Sequence, residues 1–385
     1  MPTTRFIDIL VVGAGPAGSR AAAAAARQGA QTVLVDAKPR IGEQPHCGEY
    51  VPTRLFAEAQ LDRSAVLQSV DCMETRVLSA GMRGTGRSAT ESAAVPKRTL
   101  KVISSPFPGF IIDRVRFDRD LAREAAFQGV TVLCSTRVVR RVDEGWVLKC
   151  GKEEMTMAPQ FVIAADGAVS TVAAILGLTA PNYLRGVQAE VPLVQPLENT
   201  VIFLDRDFFG GYGWLFPKGK TANVGLGVAA GNHVHPAALL EKFLAHLSEQ
   251  GLIRPGKLAR SSGLIPVSGI RRELAVDNIV FCGDAAGLTH PITGAGIPQA
   301  VFSGDLAGRY AAEALRTGNR RLFVDYQAEI TGWYGGVIGH AVAKRLLMMR
   351  LWEAPDFQRV CEETWIGFKG YRKRFRLPDT SQQSG

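Results

Sequence analysis

The sequence predicts an α/β fold: a Rossmann-like nucleotide-binding domain carrying an inserted antiparallel sheet and followed by C-terminal helices. Three observations predict it: a strand, glycine turn and helix at the start; two later apolar strands that each end on a Gly/Asp pair; and short β-type runs between those two strands.

Residues 7–12 are a short apolar run of β-type residues that leads at once into Gly13, Ala14, Gly15, Pro16, Ala17 and Gly18, with six alanines soon after. Glycines there permit a tight turn, close backbone approach to a pyrophosphate and close helix-on-strand packing, and the helix N-terminus offers unpaired N–H groups to the anion. A second strand over Thr32–Val35 ends at Asp36 and Ala37, about 20 residues past the turn, where an acidic side chain grips a ribose hydroxyl. A lone glycine motif is weak, but strand, helix and acid together make it a dinucleotide site, for NAD or FAD. Residues 161–165 form a strand that closes on Asp166 and Gly167, and residues 278–282 another that closes on Gly283 and Asp284. After these come His290, Pro291, Gly294 and Gly296, then an apolar-periodic stretch from Ile297 to Leu315, so a second glycine loop feeds a helix N-terminus.

Between Thr179 and Pro266 the runs at 200–204, 212–216 and 222–229 read as antiparallel strands with turns. Side chains at every second position of a strand share a face, so Tyr212, Trp214 and Phe216 line one side and Leu215 points to the other. In an arbitrary sheet such a trio is a core face; over a cofactor it is an apolar slot for a flat or greasy substrate. Residues 81–99 are polar and glycine-rich and read as an exposed loop. Past residue 320 the chain is helical, and residues 337–352 set Ile338, Val342, Leu346, Leu347, Met349 and Leu351 against Lys344, Arg345 and Arg350 in an amphipathic pattern that packs on the body of the protein.

The 385 residues suffice for one large domain or two joined ones, and no apolar stretch reaches the length a membrane-spanning helix needs. With no targeting segment read at the N-terminus, a cytoplasmic location is expected, at most peripheral at the inner face of the membrane. Six scattered cysteines without a C-x-x-C pair, and histidines without ligand spacing, argue against a metal site and for reduced thiols. The net charge of +9 comes partly from Lys369, Arg372, Lys373, Arg374 and Arg376, set among Trp365, Phe368, Tyr371 and Phe375. A frayed, solvated tail is the first reading and contact with anionic lipid the second; nucleic acid is excluded for want of a binding module.

The three fingerprints in this order resemble the FAD-dependent hydroxylase-type flavoprotein superfamily. The resemblance implies FAD, with Asp284 on its ribityl chain, Arg114 near the cofactor and Asp166 and Gly167 near the pyrophosphate. The helix starting at Ile297 would stabilise charge on the reduced flavin. It implies a discontinuous FAD domain over 1–75, 100–180 and 265–320, a substrate sheet over 76–99 and 181–264 that roofs the flavin, and a helical region over 321–385. A narrower resemblance, to the geranylgeranyl reductase family, rests on Tyr212, Trp214, Phe216, Pro217 and the basic Lys218, and on Cys47 and Gly48 preceding Glu49 and Tyr50. Members carry proline where Phe209 stands, and many read Cys-Gly-Gly where this chain reads Cys-Gly-Glu.

That resemblance implies reduction of prenyl C=C bonds by FAD, with electrons from NAD(P)H or a reduced carrier. Reducing an isolated alkene needs a proton at the second carbon, and Cys47 is the first candidate donor, ahead of Tyr212 and His46; a cysteine that merely packs is the alternative. The competing functions are an FAD monooxygenase, a halogenase, and a flavin-bound lipid escort without catalysis.

Overall fold

The computed structural model describes residues 4–43, 47–78, 99–230 and 235–373, and the chain divides into two units. The first unit takes residues 1–66, 112–183 and 264–339. It is built on five parallel strands in the order Ile279–Phe281, Glu153–Ala164, Thr4–Val12, Thr32–Val35 and Thr131–Leu133. Residues 9–12, 161–164, 279–281 and 32–35 are buried throughout, as expected of a parallel sheet covered on both faces. Register aligns the strand ends. Val12 lies beside Val35 and Ala164, and Ala164 beside Phe281, so four strands end level and their loops leave from one edge.

On this sheet the helix Pro16–Arg27 packs against the helices Arg114–Phe127 and Ile297–Thr317. The contact with the latter is backbone-close: a Cβ added at Gly304 would sit 2.1 Å from the Ala17 carbonyl oxygen, and one at Gly308 2.1 Å from that of Ala21. The buried Arg20 joins all three helices, pairing with Glu124 at 3.3 Å and Asp305 at 3.1 Å. Tyr326, fully buried at the start of the long helix Leu322–Leu351, donates its hydroxyl to the Phe281 carbonyl at 2.6 Å.

The second unit takes residues 67–111, 184–263 and 340–385. Its sheet runs Ala259–Pro266, Tyr183–Pro192, Thr221–Ala229, Tyr212–Lys218, Thr200–Leu204, Val66–Leu78 and Thr99–Ile112. The expected antiparallel run over 200–229 is present. The strands Val66–Leu78 and Thr99–Ile112 extend this sheet, although the sequence places 1–75 and 100–180 in the nucleotide domain; Val66–Leu78 pairs in parallel with Thr200–Leu204, more than 120 residues away. The helix Pro236–Glu249 covers one face, where Phe243, Leu244 and Leu247 pack with Phe203, Leu215 and Val224. The expected loop over 81–99 lies outside the described residues except Thr99, which begins a strand.

Two expectations about the C-terminal region are corrected. Lys344 and Arg345, assigned to a polar face, are 3% and 7% exposed, while Leu346 is 48% exposed. The reason is hydrogen bonding: Lys344 Nζ donates to the carbonyls of Glu363 and Gly370 at 2.8 and 3.0 Å, and Arg345 to that of Gly210 at 2.9 Å. These cations satisfy main-chain oxygens that no ladder uses. Burial holds the Arg345 guanidinium down to about 10. The tail is likewise not frayed as far as residue 373. Trp365 is 3% and Phe368 7% exposed, and Trp365 Nε1 donates to Thr75 Oγ1 at 3.2 Å; Arg374, Phe375 and Arg376 lie outside the described residues.

Candidate nucleotide and substrate sites

The level strand ends bring the three glycine/aspartate segments together in the first unit. At Gly13, with φ +99, a Cβ would meet the Ala165 carbonyl oxygen at 2.4 Å, and at Gly18 it would meet the Gly13 carbonyl oxygen at 1.8 Å. Both positions therefore take only glycine. A Cβ at Gly15, by contrast, would meet nothing within 4 Å, which leaves the turn open on one side. Gly283 (φ +58) abuts Ala17, whose Cβ is 2.9 Å from where one on Gly283 would stand. Asp36 ties its strand to the turn, accepting from the Ala14 N–H at 2.8 Å, and also takes the N–H of Lys38 past Ala37.

Asp166 accepts from Val172 N–H at 3.0 Å through Oδ2, whereas its buried Oδ1 has no partner among the described residues; Gly167 follows with φ +80. Burial pushes the Asp166 carboxyl up against the pull of that N–H. Asp284 receives the Thr289 hydroxyl at 2.6 Å, and a Cβ on Gly296 would stand 3.1 Å from its Oδ1. The loop of Pro291, Gly294 (φ +69) and Gly296 thus wraps this carboxylate before the helix opens at Ile297. His290 has the structural role expected, its Nδ1 accepting from the N–H groups of Ile292 and Thr293. Thr289, absent from the sequence reading, carries no motif; only the geometry marks it.

Burial raises the Asp284 carboxyl, opposed by Thr289 and by the charge of Arg114. A carboxyl raised in the folded state contributes stability that is full at low pH and lost as pH rises through the folded value. The FAD-free protein is therefore expected to gain stability as pH falls from neutral toward the aspartate range, and the Asp284→Asn variant to lose that dependence and melt no lower at neutral pH. The same variant should bind FAD about tenfold more weakly or worse. Thermal melts across pH, with FAD titration, check both halves; a lower melting point at neutral pH would contradict the first.

Arg114 opens its helix with a two-bond pair to Asp118, both contacts 2.9 Å. Burial works against its charge, but Asp118 and Cys47 outweigh burial and hold it up. Its guanidinium reaches the Cys47 thiol, whose Sγ also accepts the Glu49 N–H at 3.2 Å. Burial pushes the Cys47 thiol up and Arg114 opposes, so the sulfur carries its proton at neutral pH. Gly48 lies between Cys47 and Glu49, and His46 lies outside the described residues. The cradle fits a dinucleotide: an open glycine turn at a helix N-terminus, an acid at the second strand's end, and one carboxylate oxygen left over.

In the second unit the aromatic strand turns Leu215 to the core helix and Tyr212, Trp214 and Phe216 to the other face, as the alternation requires. Trp214 is buried over glycine: a Cβ on Gly225 would stand 2.4 Å from its ring, and Gln188 accepts its Nε1 at 3.2 Å. Tyr212 sits between two indoles, 5.7 Å from Trp214 and 4.8 Å from Trp365. Trp365, which the sequence sets beside the basic residues of the tail, completes the aromatic face from far downstream. At the far end of the face Lys218, Thr221 and Glu190 form a polar cluster, with contacts of 3.2 Å and 2.8 Å to the carboxylate.

Residues 8–152 match the model of FAD dependent oxidoreductases, and residues 195–254, which contain the aromatic strand, that of the geranylgeranyl reductase catalytic domain. The chain is 32% identical over 356 residues to digeranylgeranylglycerophospholipid reductase 3 of Methanosphaera stadtmanae, covering 88% of this chain and 84% of that one. It is 32% identical, with the same coverage, to the digeranylgeranylglycerophospholipid reductase of Methanocella arvoryzae. Among solved structures, a geranylgeranyl bacteriochlorophyll reductase-like protein of Thermoplasma acidophilum superposes with a TM-score of 0.76 at 24% identity, covering 94% of this chain and 97% of that one. A flavin-dependent brominase superposes at 0.67 with 16% identity, covering 93% and 90%, which shares the fold alone. Among the described residues no helix is long and apolar enough to cross a membrane.

Proposed function

The chain belongs to the geranylgeranyl reductase family of FAD-dependent oxidoreductases, and on that premise we propose that it hydrogenates isolated C=C bonds in the prenyl chains of a lipid. The observation that carries the reading is the position of the Cys47 thiol, held by the Glu49 N–H at 3.2 Å and within reach of the Arg114 guanidinium in the unit that bears the nucleotide cradle. Bound FAD, once reduced by the electron donor, would supply the two electrons and the first proton; the protein supplies the second proton and the environment. The N–H groups of Gly15, Ala17 and Gly18, at the helix start that Pro16 opens, would hold the pyrophosphate, Asp36 the ribose, Asp284 the ribityl chain, and Asp166 Oδ1 a further polar group of the cofactor. The N-terminus of the helix at Ile297 would stabilise negative charge on the reduced flavin. Cys47 gives its proton to the alkene carbon and Arg114 balances the sulfur left negative.

Tyr212, Trp214 and Phe216 receive the prenyl chain, which offers no hydrogen-bonding group and is selected by apolar contact. Electrons arrive from NAD(P)H or a reduced carrier; the sequence has one dinucleotide turn, which the flavin uses, so no separate NAD(P)H domain is expected. A substrate of this kind brings the enzyme to the inner face of a membrane as a peripheral protein, to which its charge of +9 contributes.

Reduced protein mixed anaerobically with a geranylgeranyl-bearing lipid is expected to reoxidise and to yield product richer by two hydrogens for each bond saturated. A parallel run in air with an aromatic substrate tests the hydroxylase alternative. Oxygenated product in air together with inert lipid under nitrogen would overturn the reductase reading, and a flavin inert in both runs would favour the escort.

A further inference from the structure

Four non-glycine residues among those described have φ in the left-handed region: Glu49 (+71), Gln60 (+52), Ser135 (+52) and Asp277 (+52). Three of them are exposed turn residues, as is usual for such angles; Glu49 is buried. A side chain in this conformation is strained, and strain persists where the surroundings over-determine it. The surroundings here are specific. The Glu49 carbonyl accepts from Ile112 N–H at 2.9 Å, its N–H donates to Cys47 Sγ at 3.2 Å, and its carboxylate accepts from the Arg114 N–H at 3.4 Å.

We propose that Glu49 is the positioning residue of the Cys47 thiol: its left-handed backbone aims a peptide N–H at the sulfur, and its buried carboxylate faces the Arg114 that reaches the thiol from the neighbouring helix. Glycine at this position would meet the backbone demand without strain and keep the N–H, so the glutamate is there for its carboxylate. The charged groups around the thiol are Arg114 from the helix Arg114–Phe127 and Glu49 from its own loop; behind Arg114 stand Asp118 and, from the late Gly-Asp segment, Asp284. Burial does most to hold the proton on sulfur, against Arg114 and the Glu49 N–H; the Glu49 carboxylate adds a smaller push in the same direction as burial by repelling a thiolate. When the alkene carbon takes the proton, the S–H bond breaks, its electrons stay on sulfur, a C–H bond forms, the electrons for the alkene come from reduced FAD, and solvent later restores the thiol.

This deepens the reductase reading and rests on it, and its test separates the two. In the holoenzyme, the pH dependence of iodoacetamide alkylation is read by mass spectrometry on the peptide that carries residue 47, in wild type, Glu49→Gln and Glu49→Gly. Removing the carboxylate is expected to move the alkylation midpoint to lower pH in both variants, with FAD absorbance retained and a higher Tm in Glu49→Gly, whose strain is relieved. Because the thiol must be protonated to act, the fall of turnover at alkaline pH moves the same way, with KM unchanged. An alkylation midpoint that stays put in both variants overturns the proposal. A midpoint that moves while Cys47→Ala turns over normally leaves Glu49's hold on the thiol standing and removes the proton-donor reading instead.

Discussion

Cys47→Ala enzyme is expected to stay yellow and to lose about 10²- to 10⁴-fold in the rate of alkene reduction, the range that one general acid contributes. The flavin should still be reducible, because the cradle residues are untouched, and lipid affinity should change little, since the aromatic face lies on other residues. Cys47→Ser should resemble Cys47→Ala, the serine hydroxyl being a far weaker acid than a thiol. In the wild type, burial keeps the thiol protonated to a pH above the ordinary thiol value of 9.0, so turnover should hold through neutral pH and decline on the alkaline side. Single-turnover reoxidation of reduced enzyme by lipid measures the step directly. Full-speed reoxidation in both variants would take Cys47 out of the chemistry.

The second large effect belongs to the fold. At Gly304 any side chain would start 2.1 Å from a main-chain oxygen of the helix Pro16–Arg27, and no rotamer can relieve a clash that begins at Cβ. Gly304→Val should therefore force the two helices apart and cost about 3 kcal/mol or more, at the upper end for overpacking because the neighbour is backbone. Both helices begin at the cradle, so FAD should be lost with stability. Gly15→Ala is the contrasting case. Its φ of −74° suits alanine and its surroundings are open, so the variant should melt like wild type yet bind FAD poorly, the new methyl standing where the turn is open to a pyrophosphate. Denaturant melts and flavin titration on the pair separate packing from binding; Gly304→Val with wild-type stability would sink the helix argument.

Legible in the sequence was whatever is local or periodic. The glycine turn, Asp36 and the two later Gly/Asp strand ends could be read because a parallel strand with its loop is a short-range pattern, and level register then does the rest. The alternation of Tyr212, Trp214 and Phe216 against Leu215 was legible for the same reason. Trp365 was not, because its burial depends on Thr75 and Tyr212, both far away in sequence. Lys344 and Arg345 are polar in composition, and polarity does not reveal that a carbonyl lies within reach. Glu49 stood out only as a glutamate where relatives carry glycine; the left-handed angle that gives the substitution meaning is a backbone property no composition shows.

The chain passes between its two units five times. The strand Ile279–Phe281 and the Gly283-Asp284 turn beyond it are among the last parts of the nucleotide unit to be synthesised, yet they pair with residues made more than 100 positions earlier. A nascent chain still tethered to the ribosome at residue 250 thus has the glycine turn and Asp36 but lacks the Gly283-Asp284 segment that stands beside them. Neither unit can be released as one uninterrupted fragment by a single cut, and flavin capture becomes a late event in biosynthesis.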